Sequence, residues 1–168
     1  MQKSLFTSKN AAAKLAARFF NGTKMIGILL ITHGDIGKEL LRTAQSILKT
    51  FPTAADYLRV EYTFETTAAK KQALAKIKFL DEGDGVLILT DLFGATPHNI
   101  SMNLKDLKKN RCAVISGLNL PMLLRSFNYA NLPLEQLVEK AQEGAHAGIV
   151  SMAYEPTRTL SKIKEVKG

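Results

Sequence analysis

The chain has no tryptophan and one cysteine in 168 residues. A single thiol, Cys112, excludes an internal disulfide. It lies in an apolar run, Cys112-Ala113-Val114-Ile115, which favours a buried thiol over a reactive one and fits a reducing compartment. No apolar stretch reaches the roughly 18 residues that a membrane-spanning helix needs. No Gly-x-x-x-x-Gly-Lys-Ser/Thr sequence is present, so the usual loop for nucleotide phosphates is missing. Internal repeats are absent, and no low-complexity linker interrupts residues 25–155. What is present is enough apolar sequence, 46%, to build the core of one globular domain.

Acidic residues are missing from one place in particular. Residues 1–24 carry Lys3, Lys9, Lys14, Arg18 and Lys24 and no Asp or Glu. This stretch reads as a basic amphipathic helix around Ala11–Phe20 and resembles an organelle transit peptide, an added leader or an upstream misread start. On that reading Met25 is the expected native start. Residues 156–168 are basic as well, with Arg158, Lys162, Lys164 and Lys167 against Glu165. These two tails hold the whole formal charge of +8, and residues 25–155 balance base against acid. A neutral domain between basic tails argues against a nucleic-acid partner. The expected division is a leader over 1–24 outside the fold, a domain over 25–155 and a basic C-terminal tail over 156–168.

Within 25–155, short apolar runs alternate with longer periodic segments. Met25–Ile31, Tyr57–Tyr62, Gly85–Thr90 and Arg111–Ser116 read as strands, and Ile149–Tyr154 as a short final one. Gly37–Leu48 has helical spacing at Leu40, Leu41, Ala44, Ile47 and Leu48. Thr66–Leu80 does too, with Ala69, Ala73, Leu74, Ile77 and Leu80 on one stripe. Pro97–Asn110 reads as a helix with proline in its first turn. Leu120–Tyr129 and Leu134–Gly144 complete the set. Strands that are apolar throughout, joined by helices and short loops, predict an α/β fold. The expected form is a doubly wound, mainly parallel sheet of order 2-1-3-4 plus a C-terminal edge strand, with helices on both faces. In such sheets ligands bind at the carboxyl ends of the strands, beside the switch in strand order.

Three strand ends stand out: Ile31-Thr32-His33-Gly34-Asp35, Thr90-Asp91-Leu92-Phe93-Gly94-Ala95-Thr96-Pro97, and Ser116-Gly117-Leu118-Asn119-Leu120-Pro121-Met122. In the first and second, an apolar run ends in Thr followed by His33 or Asp91. If their strands are neighbours, imidazole and carboxylate emerge side by side. A carboxylate on one ring nitrogen leaves the other unprotonated and more basic. That suits a nucleophile, a general base or a metal ligand. The small-residue loop running into a helix near Pro97 favours an anion. Thr32, Thr90, Thr96 and Ser116 add hydroxyls. His98 and His146 have no spacing that brings them to His33 as co-ligands. With neither nucleotide loop nor metal set, transfer through a phosphohistidine is the economical reading. Each piece also has a plainer one: His33-Gly34 as a turn, Asp91 as a cap, the glycines as turn formers, Asn119-Leu120-Pro121 as a helix start, Met122 to Leu124 as core. His98 is expected at the pocket rim or in solvent, and His146 at a helix end.

These three segments, together with Ile26-Gly27-Ile28-Leu29-Leu30-Ile31 ahead of the first, resemble the IIA domain of the mannose family of the bacterial phosphoenolpyruvate-dependent sugar phosphotransferase system. The resemblance covers about residues 25–150. It implies a cytoplasmic phosphotransferase without cofactor or metal, and a homodimer whose last strand pairs with the partner subunit. His33 is then phosphorylated at Nε2 and Asp91 orients it. Thr32, Thr90, Gly94, Ala95 and Thr96 line the phosphate site. The implied donor is the histidine-containing phosphocarrier protein. The acceptor is the IIB component, which serves a membrane permease that chooses the sugar. Related domains act inside sugar-operon transcription activators or as phosphoryl donors to a dihydroxyacetone kinase. Two positions depart from the pattern. Ala95 stands where Gly is more usual, and His98 where an apolar or small residue is.

Overall fold

The computed structural model describes residues 25–61, 66–104 and 111–152. Four strands, β1 (Gly27–His33), β2 (Ala55–Val60), β3 (Val86–Thr90) and β4 (Cys112–Ser116), form one sheet in the order β2-β1-β3-β4. Every pairing is parallel. The helices are α1 (Ile36–Leu48), α2 (Thr66–Leu80), α3 (Thr96–Met102), α4 (Leu120–Asn128) and α5 (Leu134–Ala147).

The apolar strands follow from having a core on each face. Side chains alternate along a strand. Ile28 and Leu30 of β1 and Leu87 and Leu89 of β3 pack with Leu41 of α1, Leu123 and Phe127 of α4 and Leu137 of α5. Leu29 and Ile31, with Val86 and Ile88, face Ala73 and Ile77 of α2 and Ile100 of α3 instead. Phe51, just past α1, stacks on Phe127 with ring centroids 4.2 Å apart. At Gly85, φ is 104° and an added Cβ would lie 2.2 Å from the Arg111 carbonyl oxygen, so only glycine fits where β3 and β4 begin together. Cys112 opens β4. Burial, and then the nearby Asp81 charge, push its thiol up to about 11, so it stays protonated at neutral pH.

Three expected elements differ. Leu74 is not on the buried stripe of α2 and is 38% exposed, because one residue beyond Ala73 turns it about 100° away from the sheet. α3 ends at Met102 rather than continuing towards Asn110. There the Asn99 carbonyl accepts both the Asn103 side-chain amide at 2.8 Å and the Asn103 backbone N–H at 3.1 Å, and the next N–H, of Leu104, turns to Ser101 O at 3.3 Å in a tighter closing turn. Residues 105–110 lie outside the described residues. Ile149 to Met152 form no strand, and Ala153 and Tyr154 lie outside the described residues. The Ile149 N–H bonds back to His146 O, so the turn that closes α5 extends to this residue, and among the described residues the sheet ends at β4.

Asp56 of β2 is a buried charge, 5% exposed. Its Oδ2 accepts from Lys76 Nζ at 2.6 Å and its Oδ1 from Tyr57 N–H at 2.8 Å. Removing the lysine strands a carboxylate that water reaches poorly. We predict that Lys76→Met lowers unfolding free energy by about 2 kcal/mol in urea titrations. Removing Arg42 from the exposed Glu39 pair should change it by less than about 0.5 kcal/mol. Equal losses in the two variants would contradict this.

Candidate functional site

The chain leaves β1 for β2 on one side and later returns to β3 on the other, so the switch in strand order falls between β1 and β3. His33 is the last residue of β1, and Asp91 follows β3 directly. Ile31 pairs with Thr90 in the register, so Asp91 leaves its strand within one residue of the level of His33. His33 Nδ1 lies 2.8 Å from Asp91 Oδ2. The same carboxylate oxygen accepts the His33 backbone N–H at 3.0 Å, and Oδ1 accepts the Leu92 N–H at 3.0 Å. The carboxylate is thus fixed by two backbone donors before it meets the ring. Both side chains are mostly covered, 24% and 13% exposed. A ring held by a carboxylate through Nδ1 directs its chemistry to Nε2, on the opposite side of the imidazole.

The loop after Asp91 is open. Leu92 and Phe93 are 60% and 78% exposed. Gly94 takes φ 78°, a left-handed value suited to glycine. Ala95 is extended at φ −80°, so its methyl group costs the backbone nothing there. Thr96 opens α3 on the exposed side. Asn99 steadies the loop by donating its amide to the Gly94 carbonyl at 3.0 Å.

The two threonines expected to line a phosphate site are both buried at the ends of their strands. Thr32 is 1% exposed and its Oγ1 accepts the Gly37 N–H of α1 at 2.8 Å. An added Cβ on Gly37 would come within 2.9 Å of that oxygen, so the helix approaches this closely because residue 37 lacks a side chain. Thr90 is 0% exposed, with Oγ1 2.8 Å from Ser116 Oγ. Ser116 Oγ is in turn 2.7 Å from His98 Nδ1. His98 is therefore half-buried at the rim, its ring tilted against Phe93 with centroids 4.7 Å apart. Asn119 caps α4, its Oδ1 accepting from Met122 N–H at 2.9 Å, while its amide reaches Ala145 O at 3.2 Å. Met122 and Leu123 are core, and His146 is exposed in the last turn of α5.

Arg59 was not singled out by the sequence. It pairs with Thr32 in the β1–β2 register, and its guanidinium reaches Asp35 at 3.3 Å and Glu61 at 2.7 Å. Its place beside the His33 loop depends on strand order alone, so no local pattern marks it. Among the described residues, no three His, Cys, Asp or Glu side chains come together as a metal site.

Fold and site together define a doubly wound α/β protein with a carboxylate-held histidine at the switch-point edge of its sheet. The family model EIIA-man, described as the PTS system fructose IIA component, matches residues 27–142. The chain belongs to this family, the mannose-type IIA components of the sugar phosphotransferase system. It is 32% identical over 136 residues to the PTS system mannose-specific EIIAB component of Escherichia coli strain K12, an alignment that takes in 78% of this chain and 41% of that one. The chain thus spans less than half the length of that relative. Over a shorter segment of 53 residues, 31% of this chain and 38% of the relative, it is 49% identical to the PTS system sorbose-specific EIIA component of Lacticaseibacillus casei. Among solved structures it resembles the phosphotransferase component EIIA of Streptococcus agalactiae, with TM-score 0.67 and 25% identity over 76% of this chain and 97% of that one. The mannose/sorbose-specific IIA subunit from Enterococcus faecalis shares the fold, with TM-score 0.68 and 20% identity over 79% and 98%.

Proposed function

We propose that the chain is a phosphoryl carrier of a sugar phosphotransferase system, with His33 as the carrier residue. The observation behind this reading is the 2.8 Å contact between His33 Nδ1 and Asp91 Oδ2. Asp91 keeps the proton on Nδ1, so Nε2 presents its lone pair. Nε2 attacks the phosphorus of a phosphohistidine on the phosphocarrier protein. A new P–Nε2 bond forms as the donor's P–N bond breaks, and the donor imidazole keeps the electron pair. The second transfer, to a histidine of the IIB component, runs the same exchange outward. Gly94, Ala95 and Thr96 face the bound phosphoryl group, with backbone N–H groups and the Thr96 hydroxyl as donors. Thr32 and Thr90 brace the site from below. The reaction takes place in the cytoplasm, and the membrane permease chooses the sugar. Among the described residues no helix is long and apolar enough to cross a membrane.

The direct test supplies phosphoenolpyruvate, the first enzyme of the system and its phosphocarrier protein. The wild-type chain should gain about 80 Da in an acid-labile adduct. No adduct would end the carrier reading.

The same reading makes the protein a homodimer. β4 is an open edge among the described residues, and Ile149, Val150 and Met152 are 76%, 75% and 95% exposed. An unpaired edge and an exposed apolar segment in the same chain suit strand addition between copies. Sedimentation should give twice the chain mass, and deletion from Ile149 onward should give a monomer. A truncated protein that remains dimeric would place the interface elsewhere.

A further inference from the structure

We propose, resting on the carrier reading, that His98 is a positioning residue: its bond to Ser116 ties the loop after Asp91 to the end of β4 and so helps hold the His33 site in shape. The loop needs such a tie. Leu92 and Phe93 are largely exposed, so little core packing fixes them. Three of the loop's hydrogen bonds are local: Leu92 N–H to Asp91 Oδ1, Ala95 N–H to Leu92 O at 3.4 Å, and the Asn99 amide to Gly94 O. The bond from His98 Nδ1 to Ser116 Oγ, 2.7 Å, crosses instead to a different strand. The same imidazole touches the Phe93 ring, so one side chain engages both the loop and β4.

The link also continues inward. Ser116 Oγ meets Thr90 Oγ1 at 2.8 Å; Thr90 is fully buried and precedes Asp91, which holds His33. The Thr90 carbonyl accepts the Leu118 N–H at 3.0 Å, fastening the loop after β4 to the same residue. Each hydroxyl has one proton to donate and lone pairs to accept with. If His98 Nδ1 lacks a proton, Ser116 donates to it and Thr90 donates to Ser116. If Nδ1 carries one, Ser116 accepts and donates on to Thr90. The chain is satisfied in both directions, so it holds whichever ring tautomer is present. A phenylalanine at position 98 keeps the contact with Phe93 but ends the chain. An asparagine offers a donor and an acceptor at the reach of Nδ1 and keeps it.

The experiment compares His33 phosphorylation rates in wild type, His98→Phe, His98→Asn, Ser116→Ala and the His98→Phe/Ser116→Ala double variant. His98→Phe should slow transfer about fivefold, the size of one ordinary hydrogen bond. His98→Asn should recover most of that loss. The double variant should be no slower than the slower single one, because both substitutions cut the same link. A wild-type rate in His98→Phe, or a His98→Asn protein as slow as His98→Phe, overturns the proposal and leaves the carrier reading intact. A second readout needs no phosphate: Ser116→Ala should shift the His33 ring nitrogen signals in NMR spectra of the unphosphorylated protein. Unchanged His33 signals overturn the positioning role even if no phosphoryl transfer is found.

Discussion

Given phosphoenolpyruvate and the two upstream proteins, the His33→Ala protein should take up no phosphate, with transfer reduced by more than about 10⁴-fold. The substitution removes the attacking nitrogen, and no other imidazole is placed to replace it. His98 is committed to Ser116, and His146 is exposed in the last turn of α5. The fold should survive. His33 ends its strand and is only partly buried, and Asp91 keeps both backbone donors, from residues 33 and 92, after the ring is gone. Circular dichroism and melting temperature should therefore stay close to wild type while the adduct disappears. An acid-labile adduct on a well-folded His33→Ala protein would move the carrier residue elsewhere.

Asp91→Asn should slow phosphorylation by at least about 100-fold, because it removes the group that orients the reacting imidazole. The reason is the number of donors aimed at this carboxylate. Oδ2 receives the His33 N–H and faces Nδ1, while Oδ1 receives the Leu92 N–H. An amide has only one oxygen. If that oxygen serves Leu92, the amide NH₂ faces His33 and can pair only with a bare Nδ1. The proton then moves to Nε2 and blocks the attacking lone pair. If the oxygen serves His33, the ring tautomer survives, but the NH₂ meets the Leu92 N–H and the loop shifts. Either arrangement costs rate, the first much more. The protein should stay folded but lose about 1 kcal/mol of stability, because one of the two backbone N–H groups loses its acceptor on a side chain only 13% exposed. The decisive comparison is the transfer rate of a folded Asp91→Asn protein. A wild-type rate there would remove Asp91 from its orienting role.

Most of the fold was legible because the information is local. A strand with a core on both sides must be apolar throughout, and Met25–Ile31 and Gly85–Thr90 show that in a few residues. α2 has the same limits in pattern and structure because its buried stripe repeats every turn. Legibility failed where an interaction reached outside the window. The Ser116 contact of His98 on α3, 18 residues along the chain, is one such case. The segment from Ile149 looks strand-like, yet Ile149 to Met152 pair with no strand among the described residues.

The site divides along the same line. Sequence alone placed His33 and Asp91 at strand ends, marked the small-residue loop through Gly94, Ala95 and Thr96, and limited the chemistry by the motifs it lacks. Tertiary structure decided what those residues touch. Strand order brought the carboxylate to 2.8 Å from the imidazole and set Arg59 beside the His33 loop. Alternation along the strands turned Thr32 towards α1, and Thr90 towards Ser116 and His98. The physical reason is range. Apolar period, caps and turns act over a few neighbours, whereas strand order and register join residues far apart in the chain.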